Sequence, residues 1–145
     1  MLSPLYTLDQ DDTYTGIDKL QVFINRFPNS EYVSEALELM NDLQNKLEEK
    51  DFEISKQYYT IRDYTSAIKA LDNFVADNPG TIFREEALYY KWLSQFEIAI
   101  NSIESRIVDR VTELERSLDN FLRNYPDTIF IEDLSEKINI AKQLL

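Results

Sequence analysis

The stretch Phe23–Tyr32, FINRFPNSEY, returns as Phe74–Phe83, FVADNPGTIF, and again as Phe121–Phe130, FLRNYPDTIF. Each copy has an aromatic residue at both ends, proline at the sixth place and serine or threonine at the eighth. Proline disfavours the α conformation in the residue before it and has no amide to donate, so Pro28, Pro79 and Pro126 each stop a helix. Two residues later, Ser30, Thr81 or Thr128 carries a side-chain oxygen suited to capping the amides of a new helix. Glu31, Glu85 with Glu86, and Glu132 with Asp133 then favour its positive end. The motif is therefore a helix stop, a corner and a helix start. The flanking aromatics, Phe27 or Tyr125 before the proline and Tyr32, Phe83 or Phe130 after the cap, are expected to pack each corner against its neighbours.

Working outward, Ile17, Leu20, Phe23, Ile24 and Phe27 keep to one helical face, as do Ile68, Leu71, Phe74 and Val75, and Leu114, Leu118, Phe121 and Leu122. Two glycines, four prolines and no Asn-Gly or Asp-Gly step leave little turn chemistry for hairpins, so the chain reads as all-α. The expected helices are 14–27, 31–61, 64–77, 83–104, 107–124 and 131–144. The second is unusually long, roughly 45 Å at a rise of about 1.5 Å per residue. Val33, Leu37, Met40, Leu43, Leu47, Ile54, Tyr58 and Ile61 form its expected apolar stripe. Its outer surface carries Glu31, Glu35, Glu38, Asp42, Glu48, Glu49, Asp51 and Glu53, which read as a solvated face rather than a cation site.

With 145 residues the expectation is a single domain spanning 1–145. A formal charge of −12 repels phosphate backbones and anionic lipid, which argues against nucleic acid as a partner. As written, the chain shows neither a membrane span nor a signal peptide. There is no Cys for disulfide or thiolate chemistry, and no His to serve as general base or metal ligand. Acidic neighbours such as Glu48 with Glu49 point about 100° apart on a helix and lack a pocket, so an enzyme is not expected. No cofactor or metal is expected either: Gly16 and Gly80 lie in no calcium-loop frame.

The corners stand about 50 residues apart, beyond the roughly 34 of a tetratricopeptide unit. The middle segment nevertheless fits that frame. In Glu48–Thr81, Ser55 takes the small position, Tyr58 the aromatic one, Tyr64 and Ala67 open the second helix, and Phe74 and Pro79 close it. "RDYTSAIKALDNFVADNP" resembles the tetratricopeptide pattern "GDYxxAIxxxxxxLxxxP". Gly16 and Ala67 stand at equivalent positions where a small side chain lets two helices approach closely; Leu114 and Asp51 depart from the pattern. The expected architecture is a tetratricopeptide-like α-α superhelix of about six helices.

"SPLYTLDQDDTYTGIDKLQVFINRFPNSEY", "EEKDFEISKQYYTIRDYTSAI" and "NPGTIFREEALYYKWLSQFEIA" together resemble the BamD family of outer membrane protein assembly factors, periplasmic tetratricopeptide-repeat lipoproteins. The resemblance covers essentially the whole chain and corresponds to the family's C-terminal portion; "NSIESRIVDRVTELERSL" suggests an extended last repeat. It implies a scaffold or adaptor subunit of the machinery that inserts β-barrel proteins, on the periplasmic side of the outer membrane. The implied partners are the periplasmic domains of the barrel subunit and unfolded outer membrane proteins. Membrane attachment would come only through a lipid anchor absent from this chain, and no catalytic residue is carried over.

In such stacks the concave surface comes mainly from the first helix of each pair, which places Glu49, Phe52, Lys56, Tyr59 and Thr60 on it. Phe52, Lys56 and Tyr59 are candidate partner contacts, an apolar ring beside a positive charge suiting an extended segment; the plainer alternative is that Phe52 and Tyr59 pack against neighbouring helices. In "EEALYYKWLSQFEIAI", positions 89, 92, 93, 96 and 100 make one face that reads as core. Tyr90 and Lys91 lie off it and are the remaining interface candidates.

The face of Ile17, Leu20 and Phe23 has little before it to cover it, which predicts an exposed or self-associating apolar strip. At the other end, Ile131, Leu134, Ile138 and Ala141 are expected inward and Glu132, Lys137 and Lys142 outward, as in a capping helix. The rival reading is a generic tetratricopeptide adaptor of the cell envelope or a co-chaperone gripping acidic tails. Lys56 alone in the middle concave set argues against such a grip.

Overall fold

A computed structural model describes residues 11–145. Among these residues there are six helices and no strand: α1 Asp11–Arg26, α2 Val33–Thr60, α3 Tyr64–Asp77, α4 Arg84–Ile100, α5 Glu104–Asn124 and α6 Ile131–Lys142. The fold is an all-α helical repeat, as the periodicity implies. The beginning of the family-like stretch, Ser3–Gln10, lies outside the described residues. The chain forms two compact units, Met1–Glu53 and Ile54–Leu145.

The three corners have the same hydrogen-bond scheme. In the first, Phe27 N–H donates to Phe23 O (2.9 Å), Ser30 N–H to Phe27 O (3.1 Å) and Ala36 N–H to Tyr32 O (2.9 Å). The second repeats it with Asn78 to Phe74, Thr81 to Asn78 and Ala87 to Phe83, and the third with Tyr125 to Phe121, Thr128 to Tyr125 and Leu134 to Phe130. Proline sits where its fixed φ suits a tight turn and its missing N–H is not needed. The hydroxyls act one step earlier than expected. Ser30 Oγ, Thr81 Oγ1 and Thr128 Oγ1 accept from the amides of Tyr32, Phe83 and Phe130 at 3.2, 3.2 and 3.3 Å. They close a local turn ahead of the helix. Phe83 and Phe130 occupy the N-cap positions of α4 and α6 without a side-chain bond. The aromatics pack at the second and third corners, where Phe83, Tyr125 and Phe130 are half-buried, but Phe27 and Tyr32 at the first are exposed.

In the first unit, Thr13, Gly16, Ala36, Leu43, Leu47 and Phe52 are buried. Burial of Gly16 agrees with a small residue at a close helix approach. Ile17, Leu20, Phe23 and Ile24 are half-buried, and Leu20 and Phe23 border an open groove of about 480 Å³ with Tyr32, Glu35, Ala36 and Leu39.

In the second unit α4 is central, packing on α3, α5 and α6. Ala67, Leu71 and Phe74 of α3 are sealed from solvent, and so are Trp92, Leu93 and Phe96 of α4. Val111, Leu114, Leu118 and Phe121 of α5 and Leu134, Ile138 and Ala141 of α6 complete that core. Trp92 donates its indole N–H to Leu114 O at 3.1 Å, so the largest core side chain leaves no buried donor unmet. Lys142 pairs with Glu115 at 2.7 Å and fastens the end of α6 to α5.

Three expectations are corrected. The α2 stripe is not continuous: Leu37, Ile54, Tyr58 and Ile61 are exposed, while Phe52 and Ser55 are buried. Leu47 and Phe52 lie about 140° apart around a helix of about 3.6 residues per turn, so the buried side of α2 changes between its halves. The fourth helix ends at Ile100 rather than 104, because Asn101 and Ser102 turn their side chains onto the carbonyls of Glu97 and Ile98 and compete with the backbone ladder. Ile131 is 42 % exposed, its place in the first turn of α6 lying off the Leu134, Ile138 and Ala141 face.

Candidate functional site

The last two turns of α2 carry Lys56 and Tyr59, and the middle of α4 carries Tyr90, one position past the core residue Tyr89. This offset leaves Tyr90 half-buried beside the α2 side chains. Lys56 Nζ stands 4.7 Å from the centroid of the Tyr90 ring, within cation–π range. Tyr59 meets Tyr90 edge-on at 5.3 Å and tilts against Tyr64 at 5.8 Å. Tyr90 in turn touches Tyr89 at 5.3 Å, and Tyr89 stacks on Phe130 at 3.9 Å. One run of rings therefore extends from the α2–α3 corner, across α4, to the α5–α6 corner.

The surroundings favour the neutral form of two of these phenols, Tyr59 and Tyr89. Burial pushes the Tyr59 hydroxyl up, and the negative charge of Glu97 adds to it, followed by Tyr64, Tyr90 and Asp133. Tyr89 is raised well beyond the usual tyrosine value by burial, by its hydrogen bond to Asp133 and by the charge of that carboxylate. At Asp133 burial works against the charged form, but hydrogen bonds from Lys137 and Tyr89 and the Lys137 charge outweigh it and hold the carboxyl below its usual range.

Of the five residues singled out in the sequence, Lys56, Tyr59 and Tyr90 come together. Lys91 lies beside them in sequence, but its ammonium pairs with Asp72 of α3 at 2.6 Å. Phe52, in the first unit, is 1 % exposed, so its ring is closed to any partner in this structure and fills a core position instead. Sequence reasoning gave Asp133 only a place at the start of its helix, whereas its carboxylate also accepts from Tyr89, 44 residues earlier. It also placed Ile54, Tyr58 and Ile61 inward. These three follow one another at helical spacing and, with Gln57, border an open groove of about 200 Å³.

Chemically the surface is amphipathic: neutral phenols and a lysine stem over apolar rings, with an exposed apolar ridge on the same helix. Rings of this kind supply large contact area with few rotatable bonds and keep a polar tip for hydrogen bonding, which suits a protein contact better than bond-making chemistry. Among the described residues no group of three His, Cys, Asp or Glu is placed to hold a metal ion. Nor is any of their helices long and apolar enough to cross a membrane.

Comparison with curated proteins gives no match. A family model, that of the outer membrane lipoprotein YfiO, matches residues 5–62 and 56–145, nearly the whole chain. The helical-repeat fold agrees with the BamD-like resemblance of the three quoted stretches, and the chain belongs to the YfiO family of outer membrane lipoproteins.

Proposed function

We propose that this chain is a scaffold or adaptor subunit of the outer-membrane β-barrel assembly machinery, working on the periplasmic side of that membrane. Its partners are the periplasmic domains of the barrel subunit, with unfolded outer membrane proteins as further clients. The observation that carries this reading is the family match along both stretches of the chain. The surface of Lys56, Tyr59 and Tyr90 supports it, as a neutral aromatic patch with one cation on an otherwise acidic molecule. Lys91 follows Tyr90 in the chain, its ammonium held by Asp72. Phe52 is buried and is left out of this surface.

The test is a binding titration between the purified chain and the purified periplasmic domains of the barrel subunit, read by biolayer interferometry. Lys56→Glu reverses the one patch cation that stands over a ring and is expected to weaken binding at least tenfold, with little change in Tm. Undiminished binding by Lys56→Glu would remove this surface from the reading, and absence of binding by the wild-type chain would remove the reading itself.

A further inference from the structure

Arg62 is the only non-glycine residue with positive φ among the described residues, at 65°. Its position explains why. Asp63 N–H donates to Tyr58 O at 2.9 Å and Arg62 N–H to Tyr59 O at 3.0 Å, the paired bonds that close a helix through one left-handed residue. Glycine takes that conformation without penalty, whereas a Cβ crowds the carbonyl. In the pattern "GDYxxAI" the corresponding place is glycine, and here it is arginine. Asp63 then caps α3 by accepting from Ser66 N–H at 3.2 Å, so the backbone at this corner is held from both sides.

The arginine opens onto a cleft of about 590 Å³ bordered by Tyr59, Thr60, Arg62, Tyr64, Glu97 and Asn101. Arg62 is exposed and Glu97 half-buried, and neither forms an ion pair among the described residues. Two opposite charges thus share one cleft without neutralising each other, with two tyrosine rings between helices α2 and α3 beside them. Glu97 borders the same cleft as the Tyr59 and Tyr64 rings, so a cation held there is flanked by aromatic as well as anionic groups.

We propose that this cleft docks a partner segment that presents a carboxylate and a cation close together, Arg62 taking the carboxylate and Glu97 the cation. A purely acidic segment would be repelled by Glu97, and a purely basic one by Arg62. The proposal rests on the adaptor reading and adds to it a second contact, at the end of α2 rather than on the Lys56–Tyr90 patch. A guanidinium presents a rigid fork of donors that fits a carboxylate in two parallel bonds.

The chain itself supplies the folding control, since Arg62→Gly relieves the left-handed residue while deleting the charge. The full chain and its Arg62→Gly, Arg62→Gln, Glu97→Gln and Arg106→Gln variants are titrated against the purified periplasmic domains of the barrel subunit. Arg106 is an exposed arginine of α5 that controls for loss of one positive charge anywhere. Arg62→Gly is expected to keep or raise Tm and weaken binding about tenfold, the scale of one charge-assisted contact. Glu97→Gln is expected to weaken binding severalfold and Arg106→Gln to leave it unchanged. If Arg62→Gly shifts Tm downwards, Arg62→Gln decides in its place. Wild-type affinity in the arginine variants or in Glu97→Gln overturns the two-charge occupant while leaving the adaptor reading standing. A wild-type chain that does not bind overturns the adaptor reading and this proposal with it.

Discussion

The Tyr89 ring lies flat on the Phe130 ring, centroids 3.9 Å apart and planes within 7°, while its hydroxyl donates to Asp133 three residues further along. One side chain of α4 thereby holds both the corner before α6 and its first turn. Asp133 also receives Lys137 from the next turn of α6, so the carboxylate is shared between a long-range and a local donor.

Tyr89→Phe keeps the ring stack and removes only the hydroxyl. Hydrogen bonds to charged groups contribute about 1.5–3 kcal/mol, and partial exposure of Asp133 lowers the expected loss to about 1 kcal/mol. Tyr89→Ala also gives up the stack and core area, for a loss of about 3–5 kcal/mol. Urea denaturation of the two variants measures both, and equal losses would show that the ring contributes nothing beyond the hydroxyl.

The same network contributes to the pH dependence of stability, with the raised Tyr59 adding to its alkaline side. Tyr89 has a raised value in the folded chain, so its contribution is complete below the ordinary tyrosine range near 10 and is lost as pH climbs from there through the folded value. Asp133 has a lowered value, so its contribution is complete above its ordinary value of 3.8 and is lost as pH falls through the folded one. Stability followed by urea titration should fall on both limbs. Tyr89→Phe should flatten the alkaline limb, and Asp133→Asn the acid limb.

The corner hydroxyls give an internally controlled series. Thr81 and Thr128 are 7 % and 6 % exposed and each satisfies an aromatic's amide, so alanine at either leaves that amide unpaired in a protected place. The expected cost is about 1–2 kcal/mol at each. Ser30, at the more exposed first corner, should cost less when replaced by alanine, because water can take over the Tyr32 amide. Equal losses at all three positions would contradict this dependence on burial.

Much of this was legible in the chain. The decapeptides specify the corners because proline and a following hydroxyl act within a few residues, where sequence and geometry are nearly the same thing. Ala67, Leu71, Phe74, Leu118 and Phe121 fall inward as their spacing requires. The far half of α2 was misread because Ile54, Tyr58 and Ile61 continue a perfect stripe; periodicity reports a helical face, not what lies opposite it. The ring run was only partly readable, since Phe130 and Asp133 meet Tyr89 through tertiary packing. Arg62 did leave a signal, standing where the tetratricopeptide pattern has glycine, and the left-handed backbone gives that substitution its meaning.

That conformation yields a stability prediction of its own. A non-glycine residue in the left-handed region costs about 1 kcal/mol, so Arg62→Gly should stabilise the chain by up to that amount, and Arg62→Ala should not. A calorimetric Tm for the two variants tests it: a Tm for the glycine variant below that of the alanine variant would contradict the geometry of this corner.

The central claim is that Lys56, Tyr59 and Tyr90 face a protein of the barrel assembly machinery. Its most direct test is site-specific photocrosslinking in cells, with the photoreactive side chain placed at Tyr90 and, as control, at Asp119 on the exposed face of α5. The account predicts a crosslink from position 90 to the periplasmic domains of the barrel subunit, identified by mass spectrometry, and none from position 119. Crosslinks to that subunit from 119 and none from 90 would contradict it.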